Sequence, residues 1–154
     1  TLSRNGDLGI VRREIVDWAT DPVVVSLVGL PAETQVLPYK TTDRRIYDAA
    51  RRAARARGAE EAILVNRRGF VTEGTITNVF VELGGALLTP PLEDGLVPGV
   101  LRAELLDTGA VREVPITTGM LARSELIYVG NTVRGLRVAT LTGTTERPAT
   151  AESV

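Results

Sequence analysis

The sequence predicts a single mixed α/β domain of the α+β class, in which a largely antiparallel sheet carries a few flanking helices. Short runs of β-branched and other apolar residues recur along the 154 residues, and Gly-containing turns separate most of them, as in hairpins. Segments with helical periodicity occur at only a few places between these runs. The chain is 44% hydrophobic and 24% charged, which is typical of a globular domain with a sizeable core.

The first predicted strand covers residues 22–30, a β-branched run between two prolines. A helix is predicted over residues 44–57, with Thr42 or Asp43 as its N-cap, because their side-chain oxygens can accept hydrogen bonds from free backbone amides. Gly58 suits the position after the helix. The expected apolar stripe of this helix consists of Ile46, Ala49, Ala50, Ala53 and Ala54. The arginines on the other face are interpreted as a solvated surface.

A β-meander and two further helices are predicted in the rest of the chain. The turns at residues 66–69 and 84–85 carry Gly where positive φ is needed. Helices are predicted over residues 99–109 and 117–124, each starting and ending near turn-forming residues. The polar, Pro- and Thr-rich tail, residues 142–154, is expected to be a loose end. The remaining predicted strands are residues 61–66, 70–83, 86–89, 111–116, 125–131 and 136–141.

The composition excludes several kinds of chemistry. The chain has no Cys and no His, which rules out disulfides, thiolate nucleophiles, Ser-His-Asp triads and most zinc sites, and no metal site is expected. The net charge is −1 and the arginines are interleaved with acids, so no nucleic-acid partner is expected. No apolar run approaches the ~20 residues that span a bilayer, and no signal peptide is visible, so we expect no membrane partner and a cytoplasmic location.

Lys40 is the single lysine among the 18 basic residues of the chain. A primary amine can form a Schiff base with a carbonyl compound, whereas the guanidinium of arginine cannot. With Cys and His absent, an enzyme built on this chain depends on Lys, Asp, Glu, Tyr, Ser, Thr or a bound cofactor. Lys40 is therefore a candidate catalytic residue, and a solvated surface lysine is the alternative interpretation.

Glu73 lies in the strand-like run "VTEGTITN", residues 71–78. A carboxylate is costly to bury in such a run unless it has a partner. Glu73 is thus either a paired acid in a site or an edge-strand acid that faces water.

Two turns are candidates for binding a phosphate. In "GLVPGVLR", residues 95–102, Pro and Gly precede a helix, so the amides of Val100 and Leu101 are free and carry the positive end of the helix dipole. In "VGNT", residues 129–132, a small polar turn follows a strand and can present further donors. Each turn alone is a weak signal, since most turns of this kind bind no ligand.

Together these features match the requirements of pyridoxal 5′-phosphate. An amine can form an imine with the cofactor, a carboxylate can pair with its pyridinium nitrogen, and two amide-rich turns can hold its phosphate. The ring of this cofactor acts as an electron sink, and its protein partners set its protonation.

The runs "YKTTDRR", "VTEGTITNVF", "LLTPP" and "GLVPGVLR" stand in the order and at about the spacing seen in one family. Over roughly residues 37–139 the sequence resembles the class IV aminotransferases, the fold type IV pyridoxal-phosphate enzymes. That family includes 4-amino-4-deoxychorismate lyase, D-amino-acid transaminase and branched-chain aminotransferase. The resemblance implies that residues 1–141 form the large, cofactor-binding domain, with a mostly antiparallel, barrel-like core and flanking helices.

The resemblance also implies roles for individual residues. Lys40 matches the Schiff-base lysine, and Glu73 matches the acid that pairs with the pyridine nitrogen; these two are the predicted catalytic residues. Val100 and Leu101 match the backbone amides that hold the phosphate, and residues 131–132 match a second phosphate-binding turn. The residues predicted to bind the cofactor are Lys40, Arg44, Glu73, Val100, Leu101, Asn131 and Thr132.

The residues after the lysine favour one branch of the family. Arg44 and Arg45 stand where branched-chain aminotransferases have a tyrosine, so the sequence resembles the lyase branch more closely. The expected activity is removal of pyruvate from aminodeoxychorismate, which yields 4-aminobenzoate for folate synthesis. The alternatives are an aminotransferase of the branched-chain or D-amino-acid type and a non-catalytic, isolated large domain.

Family members carry a smaller N-terminal domain that contributes an arginine to the phosphate site and part of the substrate pocket. This chain begins near the junction between the two domains, so the small domain is expected to be absent from it. The resemblance further implies a small-molecule amino substrate and a homodimer.

Overall fold

The computed structural model describes residues 14–31 and 40–142. Its strands are β1 (Val23–Gly29), β2 (Glu61–Val65), β3 (Val71–Gly74), β4 (Asn78–Leu83), β5 (Ala86–Thr89), β6 (Arg112–Glu113), β7 (Leu126–Asn131) and β8 (Gly135–Leu141). Its helices are α1 (Arg45–Arg55), α2 (Val100–Asp107) and α3 (Thr118–Arg123), with a 3-10 turn at Leu92–Asp94. The predicted mixed α/β fold is confirmed. The predicted tail lies outside the described residues, apart from Thr142.

The strands form one eight-stranded sheet in the order β3-β2-β1-β8-β7-β4-β5-β6. Strand β1 runs parallel to both β2 and β8, and β5 runs parallel to β6. The other four pairings are antiparallel within the described chain. The sheet is therefore more mixed than a simple meander, because α1 carries the chain from β1 back to the same end of the sheet before β2 begins.

The sheet curls so that its two outer edges meet, which gives the expected barrel-like core. The backbone amide of Val71, at the start of β3, donates to the carbonyl of Ile116, just after β6, at 2.7 Å. Phe70 also forms an antiparallel bridge with Thr117. These contacts connect β3, at one edge of the sheet, to the segment that follows β6, at the other edge.

Apolar side chains fill both faces of the sheet. The larger cluster includes Val25, Ile63, Val81 and Ile116, which are fully buried. Burying one such side chain contributes roughly 1.5–3 kcal/mol relative to leaving it exposed. The smaller cluster is where α1 packs, and it consists of Ala50, Ala54, Ala59, Ala62 and Leu64. The small alanines let α1 approach β1 and β2 closely and hold its first turn next to the candidate site.

The packed face of α1 differs from the predicted stripe. Ala50 and Ala54 are buried as expected, but Ile46 is 38% exposed and Ala49 is exposed. Tyr47 packs against the smaller cluster in place of Ile46. The helix is rotated toward its small residues because they fit against β2, and the bulky, branched Ile46 stays outside.

Two predicted strands lose more than two residues each in the structure. The predicted strand 70–83 is broken into β3 and β4 by a bend, in which the amide of Gly74 donates to the carbonyl of Thr77 at 2.8 Å. The predicted strand 111–116 shrinks to Arg112–Glu113, because the chain after it turns to meet Val71.

Among the described helices, none is long and apolar enough to span a bilayer.

Arg102 is a buried charge that fixes α2 to the sheet. It is 3% exposed, donates to the carbonyl of Pro90 at 2.9 Å and forms an ion pair with Glu113, whose side chain is 44% exposed. We expect Arg102→Met to lower the free energy of unfolding by about 1–3 kcal/mol, since the buried Pro90 carbonyl loses its donor.

The matched change Glu113→Gln should cost less than about 1 kcal/mol, because an amide oxygen still accepts from the guanidinium and water reaches this position. Urea denaturation of both variants measures the two values. A larger loss for Glu113→Gln than for Arg102→Met would contradict this assignment of the stabilising contact.

Candidate active site

A cavity of about 840 Å³ opens where β3 ends, β4 begins and β7 ends. The start of α1, the start of α2 and the turn after β7 complete its walls. Six of the seven residues that the sequence predicts for the site line this cavity; they are Lys40, Arg44, Glu73, Val100, Asn131 and Thr132. Leu101 is not part of the lining and directly follows Val100 in α2. The structure thus brings the predicted residues together, and their roles stay predictions.

Glu73 is held by one partner on each carboxylate oxygen. The hydroxyl of Tyr47 donates to Oε1 at 2.6 Å, and the backbone amide of Val97 donates to Oε2 at 3.0 Å. Glu73 is 4% exposed, so the alternative of an acid that faces water does not apply. Burial raises the pKa of Glu73 to about 7, although the hydrogen bonds from Tyr47 and Val97 and the nearby Arg44 and Lys40 oppose the shift.

The start of α2 presents free backbone donors to the cavity. The first intrahelical bond runs from the amide of Ala103 to the carbonyl of Gly99, at 3.0 Å. The amides of Val100 and Leu101 have no acceptor among the described residues, and no side chain caps this end. Free amides at the positive end of a helix suit an anion.

Position 99 must be glycine because the side chain of Asn78 occupies the space that a Cβ would need. The Nδ2 group of Asn78 donates to the carbonyl of Val97 at 3.0 Å, and its Oδ1 lies 2.1 Å from the place that a Cβ of residue 99 would take. Asn78 therefore fixes the loop that carries both the Val97 amide and the start of α2.

The side chain of Asn131 is occupied by the protein. Its Oδ1 accepts from the amides of Val133 and Arg134, each at 3.0 Å, and its Nδ2 donates to the carbonyl of Ile76 at 2.9 Å. Asn131 thus shapes the turn after β7 and ties it to the bend after β3. The amide of Thr132, at the tip of the turn, has no acceptor within the described ranges, so Thr132 has a backbone donor that is free to bind an anion.

Gly130 leaves no room for a side chain just before this turn. A Cβ there would lie 2.7 Å from the carbonyl oxygen of Gly135 and 3.2 Å from Cδ2 of Leu101. We expect Gly130→Ala to lower the free energy of unfolding by about 1–3 kcal/mol, since the backbone must move to make room for the new side chain. The matched control is Gly119→Ala in α3, where a Cβ meets Arg123 at an ordinary 3.4 Å. Thermal unfolding of both variants is the measurement, and equal losses would contradict the prediction.

Arg44 lines the cavity, but its guanidinium is engaged with the protein. It donates to the carbonyl of Thr75 at 2.5 Å and lies 5.0 Å from the centre of the Tyr47 ring. The amide and hydroxyl of Thr75 in turn donate to Glu61, which is fully buried. These contacts support the bend between β3 and β4, which carries the residues next to Glu73.

Sequence reasoning missed four of these residues: Tyr47, Glu61, Asn78 and Val97. A signal existed for Tyr47, because it stands three residues before Ala50 and seven before Ala54, on the same side of α1. No local signal exists for the Val97 amide, since any residue other than proline can supply a backbone donor.

The fold and the site define an enzyme class in which an amine, a buried acid and free backbone amides surround one cavity. The chain belongs to the amino-transferase class IV family, whose model matches residues 19–141. Pyridoxal phosphate is the cofactor of this family, as the resemblance in the sequence implies.

Two relatives differ in the activity that their names state. A Schizosaccharomyces pombe protein named "Putative aminodeoxychorismate lyase" is 36% identical over 117 residues, which are 73% of this chain and 51% of that protein. The crystal structure of a "Putative amino-acid aminotransferase" from Mesorhizobium loti is similar with a TM-score of 0.78 and 39% identity, covering 91% of this chain and 70% of that one.

A third similarity concerns the fold. The PLP-bound form of a hypothetical aminotransferase from Mycobacterium tuberculosis has a TM-score of 0.71 at 24% identity, covering 80% of this chain and 49% of that one. This chain spans about half the length of the S. pombe protein.

The residues present fit pyridoxal phosphate. The free amides of α2 and of the turn after β7 suit its phosphate. Glu73 is a buried acid with a raised pKa, so it can share a proton with the ring nitrogen of the cofactor. Lys40 supplies the amine and lines the same cavity.

Proposed function

We propose that this chain is the cofactor-binding part of an enzyme that removes pyruvate from 4-amino-4-deoxychorismate and leaves 4-aminobenzoate, a step of folate biosynthesis. The observation that carries the proposal is that Lys40, Glu73 and the two turns with free amides meet at one cavity. The name of the S. pombe relative supports the lyase, as does the pair Arg44 and Arg45 after the lysine.

The proposal assigns a role to each group. Pyridoxal phosphate, when bound, supplies a ring that withdraws electrons from the substrate carbon next to the nitrogen. The amides of Val100 and Leu101, with that of Thr132, hold the phosphate. Glu73 holds the proton at the ring nitrogen. Lys40 presents its Nζ atom to the cofactor and, with substrate in place, takes up and returns the substrate proton.

An aminotransferase is the second candidate, because the M. loti neighbour at 39% identity bears that name. The two activities share one cofactor site and differ in the second half of the reaction. A non-catalytic, isolated large domain is the third candidate, since the chain spans about half of its S. pombe relative.

One pair of assays separates these candidates. The chain is loaded with pyridoxal phosphate and given aminodeoxychorismate, and 4-aminobenzoate is measured by fluorescence and pyruvate by a coupled dehydrogenase. The same preparation is given an amino acid donor without a keto acid, and its absorbance spectrum shows whether the cofactor takes its amine form. Product release without the amine form supports the lyase, the amine form supports the aminotransferase, and neither result supports the non-catalytic domain.

We also propose a cytoplasmic homodimer. Large apolar side chains are exposed around the mouth of the cavity, at Ile46, Val100 and Val133. Exposed apolar side chains grouped at one place are a common feature of interaction surfaces. Light scattering of the purified protein measures the mass, and a monomer at micromolar concentration would contradict the dimer.

A further inference from the structure

We propose that Tyr47 is a positioning residue for the reaction: its hydroxyl holds Glu73 in the orientation and ionisation state that the ring nitrogen of the cofactor requires. One part of this proposal rests on the proposed function, namely that Glu73 faces the ring nitrogen of the cofactor. The Tyr47–Glu73 contact itself is a property of the chain and can be tested without cofactor or substrate.

Two donors fix the plane of the Glu73 carboxylate. The Tyr47 hydroxyl lies 2.6 Å from Oε1 and the Val97 amide lies 3.0 Å from Oε2. Both donors come from elements other than β3: Tyr47 is in the first turn of α1, and Val97 is in the loop before α2. With one donor on each oxygen, the carboxylate cannot rotate without losing a bond in a site that water barely reaches.

Tyr47 acts as the donor in this contact. Burial raises the pKa of Tyr47, and the hydrogen bond to Glu73 and its charge raise it further, so the phenol keeps its proton. A phenol that donates to a carboxylate favours the ionised form of the acid. The bond thus opposes burial, which raises the pKa of Glu73.

The other charged groups around Glu73 do not replace the hydrogen bond from Tyr47. Arg44 and Lys40 also favour the ionised acid, but they act only through their charge, and each lowers the pKa of Glu73 less than either hydrogen bond does. Asp43 and Arg45 also line the cavity, and they pair with each other at 2.6 Å. Among the described residues, Tyr47 is the only side chain that makes a hydrogen bond to Glu73.

Tyr47 is itself held from two sides. Its ring packs against the smaller apolar cluster under α1. The guanidinium of Arg44 lies 5.0 Å from the ring centre and is anchored on the carbonyl of Thr75. The buried carboxylate of Glu61 binds the amide and hydroxyl of Thr75. A continuous set of contacts therefore runs from β2 through the bend to the Tyr47 hydroxyl.

The test is an NMR titration of the Glu73 side-chain carboxyl in the 154-residue chain without cofactor. In Tyr47→Phe the ring and its stacking stay and the donor goes. The pKa of Glu73 should rise by roughly one unit or more, a tenfold change in proton affinity, because a hydrogen bond to a charged group is lost. An unchanged or lower pKa of Glu73 overturns the proposal.

The chain offers a matched control. Tyr128 also has its hydroxyl near a carboxylate, that of Glu82, at 3.4 Å. Tyr128→Phe removes the same atom from the sheet and should leave the Glu73 titration unmoved. If Tyr128→Phe shifts Glu73 as much as Tyr47→Phe does, the effect is general and the proposal is wrong.

A second variant tests the contact without deleting it. Placing 3-fluorotyrosine at position 47 keeps the hydroxyl and makes it a stronger donor. The pKa of Glu73 should then fall, the opposite of the change in Tyr47→Phe. A rise or no change in this variant also overturns the proposal, and the variant serves if Tyr47→Phe does not fold.

A kinetic measurement separates this proposal from the proposed function. In the loaded enzyme, Tyr47→Phe should move the acid limb of the kcat profile to higher pH and leave KM nearly unchanged. A wild-type chain with neither activity overturns the proposed function and leaves the NMR result standing. An unmoved Glu73 titration overturns the positioning role and leaves the activity standing.

Discussion

Lys40→Arg should abolish the activity of the loaded enzyme, with a loss of about three orders of magnitude or more. The change keeps the charge and approximate length of the side chain but removes the primary amine. Lys40 is exposed and is the single lysine of the chain, so Lys40→Arg leaves no ε-amine at all. The free energy of unfolding should change by less than about 0.5 kcal/mol, as for most surface substitutions.

Reductive trapping provides a direct measurement. Borohydride treatment of the wild-type chain with pyridoxal phosphate should attach the cofactor to the peptide that contains Lys40, and mass spectrometry locates it. The double variant Lys40→Arg, Arg45→Lys places an amine five positions along the same cavity wall and should not restore activity. A fully active Lys40→Arg protein would return Lys40 to the interpretation as a surface lysine.

Glu73 should make the stability of the cofactor-free chain fall as pH rises from about 4.5 to about 7. Its pKa rises from 4.5 to about 7 on folding, chiefly by burial. Below pH 4.5 the acid is protonated in both states and its contribution is fully present. Between the two values the unfolded chain loses the proton first, so stability is lost with rising pH until the folded acid also ionises. The shift corresponds to about 3 kcal/mol.

Glu73→Gln should remove this component. The free energy of unfolding, measured with urea at several pH values, should therefore depend less steeply on pH in the variant over the same range. Burial also raises the pKa of Asp94, but that acid is present in both proteins and cancels in the difference. Parallel profiles for wild type and Glu73→Gln would contradict the prediction. In the loaded enzyme the same change should cost about 10²-fold or more in kcat.

The fold could be predicted largely because its elements carry local signals. Strands such as β2 and β4 are apolar runs, and Gly69, Gly84 and Gly85 have the positive φ that their turns require. The break after Gly74 has no such signal. It depends on Glu61, a residue of another strand whose carboxylate binds the amide of Thr75, and a contact across strands cannot be read from one segment.

The candidate site could be predicted as far as motif order allows. Lys40 and Glu73 stand in recognisable runs, and both line the cavity. The contact between Tyr47 and Glu73 escaped prediction because α1 packs on its alanines, which turns Tyr47 toward Glu73 and leaves Ile46 exposed at the mouth of the cavity. Helical periodicity favours the larger apolar residue, whereas close packing on β2 favours the smaller ones. The buried position of Arg102 was not predicted either, because arginines are mostly exposed and the sequence carries no signal that separates a buried arginine from a surface one.

The position of β1 in the sheet has a consequence for how the domain assembles. Val23 in β1 pairs with Ala139 in β8, so strands from opposite ends of the described chain are neighbours in the middle of the sheet. Such a contact has a high sequence separation, and loop closure must occur before it forms, which slows folding. During synthesis on the ribosome, one edge of β1 stays open until β8 has been made, and an open apolar strand edge can pair with other chains. Folding of this domain should therefore depend more on the synthesis of β8 than its short hairpins suggest.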